Sequence, residues 1–306
     1  MKIISEHKYI LSTFVIFVIF GFYISSNNES YSHYVSPLEK NWYTKSLGIE
    51  TAEATEKIKI LVVPGHEPDF GGTEFGNIKE REMTVELGQK IKNLLENNPR
   101  YDVYITRDKT SWNETFLNYF SKDWKEIISW EKSKRKAYSD FLSSNHESRP
   151  PQIVKHNKVS DDVAIRLYGI TRWANENNID LILHIHFNDD AEHRKNVAGK
   201  YSGFAIYVPV NQFANGEESH EVAKNIMKYL SLDNGVSSLP QESTGIVDEA
   251  RLIAIGANNT ANPASILIEY GYIYEPRFLN DNNREFTLNN LATETYLGLD
   301  EYFKLK

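Results

Sequence analysis

The stretch Ile58-Lys59-Ile60-Leu61-Val62-Val63-Pro64-Gly65-His66 decides the fold. Its run of branched apolar side chains predicts a buried strand over 58–63, and Pro64-Gly65 predicts the turn that ends this strand. The following segment, 80–96, carries apolar residues at helical spacing, including Met83, Leu87 and Ile91. A strand that leads through a turn into a helix indicates an α/β domain.

The same alternation continues along the chain. Further strands are predicted over 101–106, 180–186, 203–209 and 265–269, and further helices over 161–177, 218–230 and 287–303. Strands that alternate with helices predict a largely parallel or mixed sheet covered by helices.

One block interrupts this alternation. Lys109 to Lys158 lies between a strand and the next helix, is rich in Trp, Phe and Tyr, and contains the basic stretch Lys132-Ser133-Lys134-Arg135-Lys136. Its composition predicts an inserted helical block with a small core of its own and a solvated charged face. The alternative is a lid or substrate-contacting flap, because long insertions in compact domains are often functional.

The N-terminus predicts a membrane anchor. Lys2 and Lys8 precede an apolar run, Tyr9 to Ile24, which is shorter than the ~20 residues that span a bilayer comfortably. Because bulky residues rather than small ones end the run, residues 1–24 are predicted to be an uncleaved signal anchor, with a cleaved signal peptide as the alternative. The charges before the run place the rest of the chain on the extracytoplasmic face of the membrane, or outside the cell if the run is cleaved.

Behind the anchor, the polar residues 25–56 predict a flexible tether, and the folded domain is expected over 57–306. Bulk composition excludes several functions. A net charge of -8 argues against a dedicated nucleic-acid binder, because phosphate contact needs a dense basic face. It has no cysteine, which excludes disulfides, thiolate zinc sites and cysteine nucleophiles.

Metal-capable and acidic side chains stand at the ends of three predicted strands. His66 follows the first strand, while His186 and Glu269 each end another, and Glu80 begins the helix after the His66 turn. The carboxyl ends of the strands in an open α/β sheet form a common crevice, so these side chains are expected to converge. Catalytic zinc takes three protein ligands. The pattern therefore predicts His66, Glu80 and His186 as zinc ligands, with Glu269 as general base.

Other assignments remain open at this level. Glu82 and Glu86 are rival carboxylates to Glu80. His184 shares a strand face with His186, because side chains at i and i+2 point the same way, so it is either a ligand or a close neighbour of one. Glu269 is harder to explain as structural, since an acid in a buried strand is costly without a role or a partner.

At these residues the chain resembles the zinc-dependent N-acetylmuramoyl-L-alanine amidases, the Amidase_3 family of bacterial cell-wall hydrolases. The resemblance is carried by Val63-Pro64-Gly65-His66, Lys79-Glu80-Arg81, Thr106-Arg107, Ala174-Asn175 before Asp180, His186 with Asn188, Gly203-Phe204, and the stretch from Pro263 to Gly271. It implies that the matching His66, Glu80 and His186 bind zinc and that Glu269 is catalytic. His184, Asn188 and Arg107 are candidates for substrate binding or for support of the ligands.

The implied fold is α/β: a twisted mixed, largely parallel sheet flanked by helices on both faces. To this fold the sequence adds the predicted inserted block at 109–158 and an N-terminal transmembrane helix. The implied reaction is hydrolysis of the amide between the lactyl group of N-acetylmuramic acid and L-alanine, with peptidoglycan as the substrate. The membrane is a further expected partner, through the predicted N-terminal helix. The chain departs from the family where Glu67 to Phe70 precede Gly71-Gly72, and where His184 and Phe187 replace the usual Ser and Ala. The alternatives are a non-catalytic peptidoglycan-binding or regulatory protein on the same fold, and a zinc peptidase acting on stem peptides.

Overall fold

The computed structural model describes residues 56–146, 148, 154, 158–190, 192, 194, 196–211, 213–256 and 260–306. Residues Glu56–Lys306 form one compact unit. The predicted anchor at 1–24 and nearly all of the predicted tether at 25–56 lie outside the described residues. Within the described part of the chain, no helix combines the length and the apolar character needed to cross a membrane.

Eight strands are found in the described residues. They are β1 (Ile58–Pro64), β2 (Glu74–Phe75), β3 (Ile78–Lys79), β4 (Tyr101–Ile105), β5 (Leu181–Asn188), β6 (Ala205–Pro209), β7 (Ile246–Glu249) and β8 (Ala264–Tyr272). Six of them form one sheet in the order β4-β1-β5-β8-β6-β7, and β2 and β3 form a small antiparallel hairpin. Every pair in the large sheet is parallel except β6 with β8. The sheet is therefore mixed and largely parallel, as predicted.

The helices of the described residues complete the α/β order. They are α1 (Glu80–Glu96), α2 (Glu114–Ser144), α3 (Asp161–Glu176), α4 (Gly216–Asp233), α5 (Pro276–Leu279) and α6 (Asp281–Leu305), with two 3-10 turns at Pro240–Glu242 and Ile253–Ile255. The predicted helix at 80–96 has the observed bounds of α1. The helix predicted over 287–303 is longer in the structure, since α6 begins at Asp281, where Asn280 caps it by accepting hydrogen bonds from two backbone N–H groups.

Helices cover both faces of the sheet, and alternate side chains of β1 enter two different cores. Ile60 and Val62 of β1 pack into a core with α1, α4 and α6. Leu61 and Val63 of the same strand pack into a second core with α2 and α3. Burial of this apolar surface is the main stabilising contribution to such a layered fold.

The predicted inserted block contributes the long helix α2, which deviates from helical geometry at Asp123. Asn113 caps its start, with its side-chain oxygen accepting a hydrogen bond of 3.0 Å from the backbone N–H of Phe116. The buried side chains of α2 join the second core of the domain, beside Tyr168 and Trp173 of α3. The helix therefore shares a core with α3, whereas the sequence predicted a core of its own.

Candidate metal centre

The turn after β1 places His66 at the carboxyl end of the sheet. The backbone N–H of Gly65 donates a 2.9 Å hydrogen bond to the carbonyl of Ile185 on β5, which ties the turn to the neighbouring strand. His66 follows with φ of 70°, a left-handed conformation that is unfavourable for a residue with a side chain. The backbone of Gly72 approaches the imidazole so closely that a Cβ there would lie 3.0 Å from His66 Cδ2. The backbone at Gly65 and the backbone at Gly72 together restrict the position of the His66 side chain.

Glu80 is held at the first residue of α1. Its backbone N–H donates to the carbonyl of Thr73 at 2.9 Å, and its Oε2 accepts a 2.9 Å hydrogen bond from the N–H of Thr73. Its Oε1 accepts a further bond of 3.1 Å from the backbone N–H of Phe187. The carboxylate is buried, and it lies at the positive end of the helix dipole, which favours its ionised form.

Two imidazoles converge on this carboxylate. His66 Nε2 lies 2.8 Å and His186 Nδ1 lies 3.1 Å from Glu80 Oε1. One ligand atom from each of the three residues falls within 4.8 Å of the others, and among the described residues this is the group that could hold a metal ion. His66 Nε2 is buried and, despite its closeness to Glu80, makes no hydrogen bond of acceptable geometry. A buried ring nitrogen without a hydrogen-bond partner is consistent with a metal ligand, because a bound cation would satisfy its lone pair.

The electrostatics of the cluster fit metal ligands. Burial works to raise the pKa of the Glu80 carboxyl, but the charge of His66 and the contacts with both imidazoles outweigh it and hold this pKa well below its usual range. Burial lowers the pKa of His186, and the charge of His66 lowers it further against the opposing effect of Glu80. The cluster therefore presents a carboxylate and a neutral imidazole at neutral pH, which are the protonation states that bind metal.

Glu269 lies next to this cluster. It is the direct neighbour of His186 in the register of β5 and β8, so the two side chains share a face of the sheet. Its Oε2 is buried and has no hydrogen-bond partner. Burial, followed by the negative charges of Glu80 and Glu242, raises its pKa well above the usual value. A cation bound nearby would oppose this effect, because bound ions dominate local electrostatics.

The three further candidates occupy different places. His184 shares the face of His186 but is outside the three-residue cluster; it is buried, its Nε2 has no partner, and its pKa is lowered to about 3, chiefly by burial. Asn188 donates a 3.0 Å hydrogen bond to Glu242. Arg107 is buried under the His66 turn, where it donates to the carbonyl of Gly65 and, over 2.9 Å, to that of Arg81. Its contacts are with the backbone that carries the ligands.

The rival carboxylates lie outside the cluster. Glu82 pairs with Lys79 at 3.0 Å, and Glu86 pairs with Lys109 at 2.6 Å. Both pairs are on the partly exposed side of α1, whereas Glu80 is buried. Of the acids at the start of α1, Glu80 is the one that the structure brings to the histidines.

Sequence reasoning missed Glu242, a fully buried carboxylate near Glu269. It accepts hydrogen bonds from the hydroxyl of Tyr207, from the hydroxyl of Tyr272 at 3.2 Å, and from Asn188 at 3.0 Å. Three donors compensate for the loss of hydration of a buried charge. The donors come from three different strands, so no local sequence pattern marks this acid.

The chain belongs to the N-acetylmuramoyl-L-alanine amidase family, Amidase_3, whose family model matches residues 147–301, just over half of its 306 residues. Members of this family are cell-wall hydrolases that act on peptidoglycan outside the cytoplasm. The match includes His186 and Glu269, while His66 and Glu80 precede it.

Solved structures of amidases share the fold. An N-acetylmuramoyl-L-alanine amidase from Clostridium difficile 630 is 17% identical, with a TM-score of 0.51 over 82% of this chain and 100% of that chain. Ami1 from Mycobacterium abscessus is 15% identical, with a TM-score of 0.52 over 80% of this chain and 98% of its own. Ami1 from Mycobacterium smegmatis is 13% identical, with a TM-score of 0.53 over 81% and 98%. No protein of curated function matches the chain.

Proposed function

We propose that this chain is a zinc-dependent amidase that hydrolyses the amide between N-acetylmuramic acid and L-alanine in peptidoglycan. In this proposal His66, Glu80 and His186 hold the zinc ion, and Glu269 is the general base. The observation that carries the proposal is the convergence of the three ligand atoms within 4.8 Å in a chain of the amidase family.

The donor set supports zinc. Two imidazoles and one carboxylate, with a position left for water or substrate, are the ligands of many catalytic zinc sites. When bound, the ion supplies a Lewis acid that polarises the scissile carbonyl and makes a water easier to deprotonate. The side chains of His66 and His186 are 25% and 17% exposed, so both rings reach solvent although Nε2 of His66 and the Glu80 carboxylate are buried.

In this proposal Glu269 moves the proton. Its carboxylate accepts a proton from the attacking water as the new carbon–oxygen bond forms, and it returns that proton to the amide nitrogen as the carbon–nitrogen bond breaks. The carboxylate is unchanged at the end of the cycle, and the products are the free lactyl carboxyl group and the amino group of L-alanine. Because Oε2 of Glu269 makes no hydrogen bond to the protein, it is available for this transfer.

The arrangement of the whole chain is also part of the proposal. Residues 1–24 anchor the protein in the cytoplasmic membrane, residues 25–56 form the tether, and residues 57–306 form the catalytic domain, with the insertion at 109–158. The charges of Lys2 and Lys8 before the apolar run support this orientation. The tether would keep the catalytic domain close to its peptidoglycan substrate.

The test is digestion of purified muropeptides by the full chain, with and without a zinc chelator, followed by mass analysis of the products. We expect free stem peptides that begin with L-alanine, loss of this product on chelation, and recovery when zinc is added back. Cleavage inside the stem peptide would instead identify a peptidase. Binding of muropeptides without any release of peptide would identify a non-catalytic wall-binding protein, and either result would contradict the proposal.

A further inference from the structure

The residue after His66 is a buried acid whose two oxygens are both engaged. Glu67 is 5% exposed. Its Oε2 accepts a hydrogen bond of 3.1 Å from the indole N–H of Trp112, and its Oε1 accepts a charge-assisted bond of 2.8 Å from Nε of Arg166. An acid with both oxygens bound in this way is not offered to a metal ion, and Glu67 is outside the metal-capable group.

Both donors to Glu67 rest on aromatic side chains of α2. The ring of Trp112 packs edge-on against Phe120 at 5.2 Å. The guanidinium of Arg166, on α3, lies 5.8 Å from the centre of the ring of Trp124. The first half of α2 therefore holds in place the two groups that hold Glu67.

This anchoring acts on the backbone of a metal-ligand candidate. His66 has φ of 70°, a left-handed conformation that is unfavourable for a residue with a side chain and persists only where its surroundings enforce it. On one side, Gly65 is tied to β5 through the carbonyl of Ile185. On the other side, the chain is held by the bound carboxylate of Glu67. The strained residue is thus fixed at both of its peptide neighbours.

We propose that Glu67 is a positioning residue for His66, and that α2 braces the metal centre by supporting its two donors, Trp112 and Arg166. The inference rests on the proposed function in one respect, since it takes zinc as the ion that His66 binds. It gives the inserted block a role that the sequence left open. In this role the first half of α2 supports the metal centre through Glu67. It does not act as a lid that closes over the substrate.

The test compares four variants of the full chain. Trp112→Phe removes the indole N–H and keeps an aromatic ring. Glu67→Ala removes both acceptor oxygens, whereas Glu67→Gln keeps one of them. Trp130→Phe is the matched control, because Trp130 is a tryptophan of α2 that packs against Tyr168. Zinc affinity is measured by competition with a chromophoric chelator, and thermal unfolding is recorded for each protein. We expect zinc affinity to fall about 10-fold in Trp112→Phe and by at least as much in Glu67→Ala, with partial rescue in Glu67→Gln.

The control variant should keep the zinc affinity of the parent, even if its melting temperature falls. Because Glu67 and Trp112 act through one contact, the double variant Glu67→Ala/Trp112→Phe should lose no more affinity than Glu67→Ala alone. Unchanged zinc affinity in both Trp112→Phe and Glu67→Ala would overturn the inference. Equal loss in Trp130→Phe would also overturn it, because general destabilisation would then explain the effect.

A second measurement separates this inference from the proposed function. The imidazole NMR signals of His66 are recorded in the zinc-free protein, where we expect one set of narrow signals in the parent and broadened or multiple signals in Glu67→Ala. A parent that fails to bind zinc would contradict the proposed function, while these signals would still decide the role of Glu67. Identical His66 signals in the parent and Glu67→Ala would contradict the positioning role.

Discussion

His186 on β5 and Glu269 on β8 are paired residues in adjacent parallel strands. The register shifts between His186 and Asn188, so the regular pairing ends directly beyond this pair. A proposed ligand and the proposed base are therefore aligned by the backbone hydrogen bonds of two central strands. Groups placed on such rigid elements keep their relative position better than groups on loops.

The two acids at the start of α1 should respond differently to loss of charge. Glu80→Gln removes the negative charge of the carboxylate on which both imidazoles converge, so we expect zinc affinity to fall by more than about 100-fold. Glu82→Gln is the matched control, because it changes a partly exposed acid paired with Lys79 on the same helix turn. Zinc titration of both variants checks this prediction. Parent-like affinity in Glu80→Gln would refute the assignment of Glu80 as a ligand.

Loss of the base should separate catalysis from metal binding. Glu269→Gln keeps the size of the side chain but removes its capacity to accept a proton, so we expect kcat to fall by about 10²–10⁴-fold while zinc is still bound. The measurement is the initial rate of stem-peptide release together with the zinc content of the variant. If Glu269→Gln turned over muropeptides as fast as the parent, another group would have to be the base.

Gly65 should be intolerant of any side chain. A Cβ at this position would lie 2.3 Å from Cε1 and 2.5 Å from Nε2 of His186, so the imidazole would have to move. We expect Gly65→Ala to weaken zinc binding at least 10-fold through this displacement. Gly235→Ala is the control, because nothing lies within 4 Å of a Cβ at that site. Comparable zinc affinity in the two variants would show that the His186 ring tolerates the shift.

Glu294 should make the protein less stable as the pH rises. Its pKa is raised from 4.5 to about 7, mainly by burial, and the charge of Asp233 adds to the effect against the hydrogen bond from Asn234. The folded state then holds a proton that the unfolded state has lost, so the free energy of unfolding falls as the pH rises from 4.5 to 7. Above pH 7 the loss of unfolding free energy amounts to about 3 kcal/mol, and below pH 4.5 there is no loss. Glu294→Gln should not show this decline.

Urea unfolding at pH 5, 6, 7 and 8 checks this expectation. The stability difference between Glu294→Gln and the parent should grow up to pH 7 and then level off. Glu285→Gln is the control, because this exposed acid on the same helix has a pKa lowered by its bond to Lys90. The stabilisation from this lowered pKa is lost only when the pH falls below 4.5, the usual pKa of a glutamate. The stability difference between Glu285→Gln and the parent should therefore stay constant from pH 5 to pH 8. If the stability difference between Glu294→Gln and the parent stayed constant from pH 5 to pH 8, the pKa of Glu294 would not be raised in the folded protein.

Sequence reasoning reached the parts of the fold that have a strong local pattern. The apolar runs of β1, β5 and β8 are buried strands, and the alternate residues of β1 and β5 enter two cores. The i, i+2 argument predicts that His184 and His186 lie on one face of β5. The hairpin of β2 and β3 was missed, because two-residue strands such as Glu74–Phe75 carry no periodicity.

The site was predictable where its residues follow strands. That His66, His186 and Glu269 lie close together could be predicted because strand ends in an α/β sheet share an edge. Glu67 and Glu242 could not, because their hydrogen-bond partners are remote in sequence and become visible only when the chain is folded. In the sequence, Glu67 is distinguished only by its place between His66 and Gly71-Gly72.

The reciprocal hydrogen bonds between Thr73 and Glu80 have a consequence for handling the protein. Because backbone N–H groups already hold the carboxylate, the pocket exists before an ion enters it. Chelators should empty it without the unfolding seen in zinc fingers, whose structure depends on their metal. The demetallated protein should then accept Co²⁺ as a coloured reporter of its coordination.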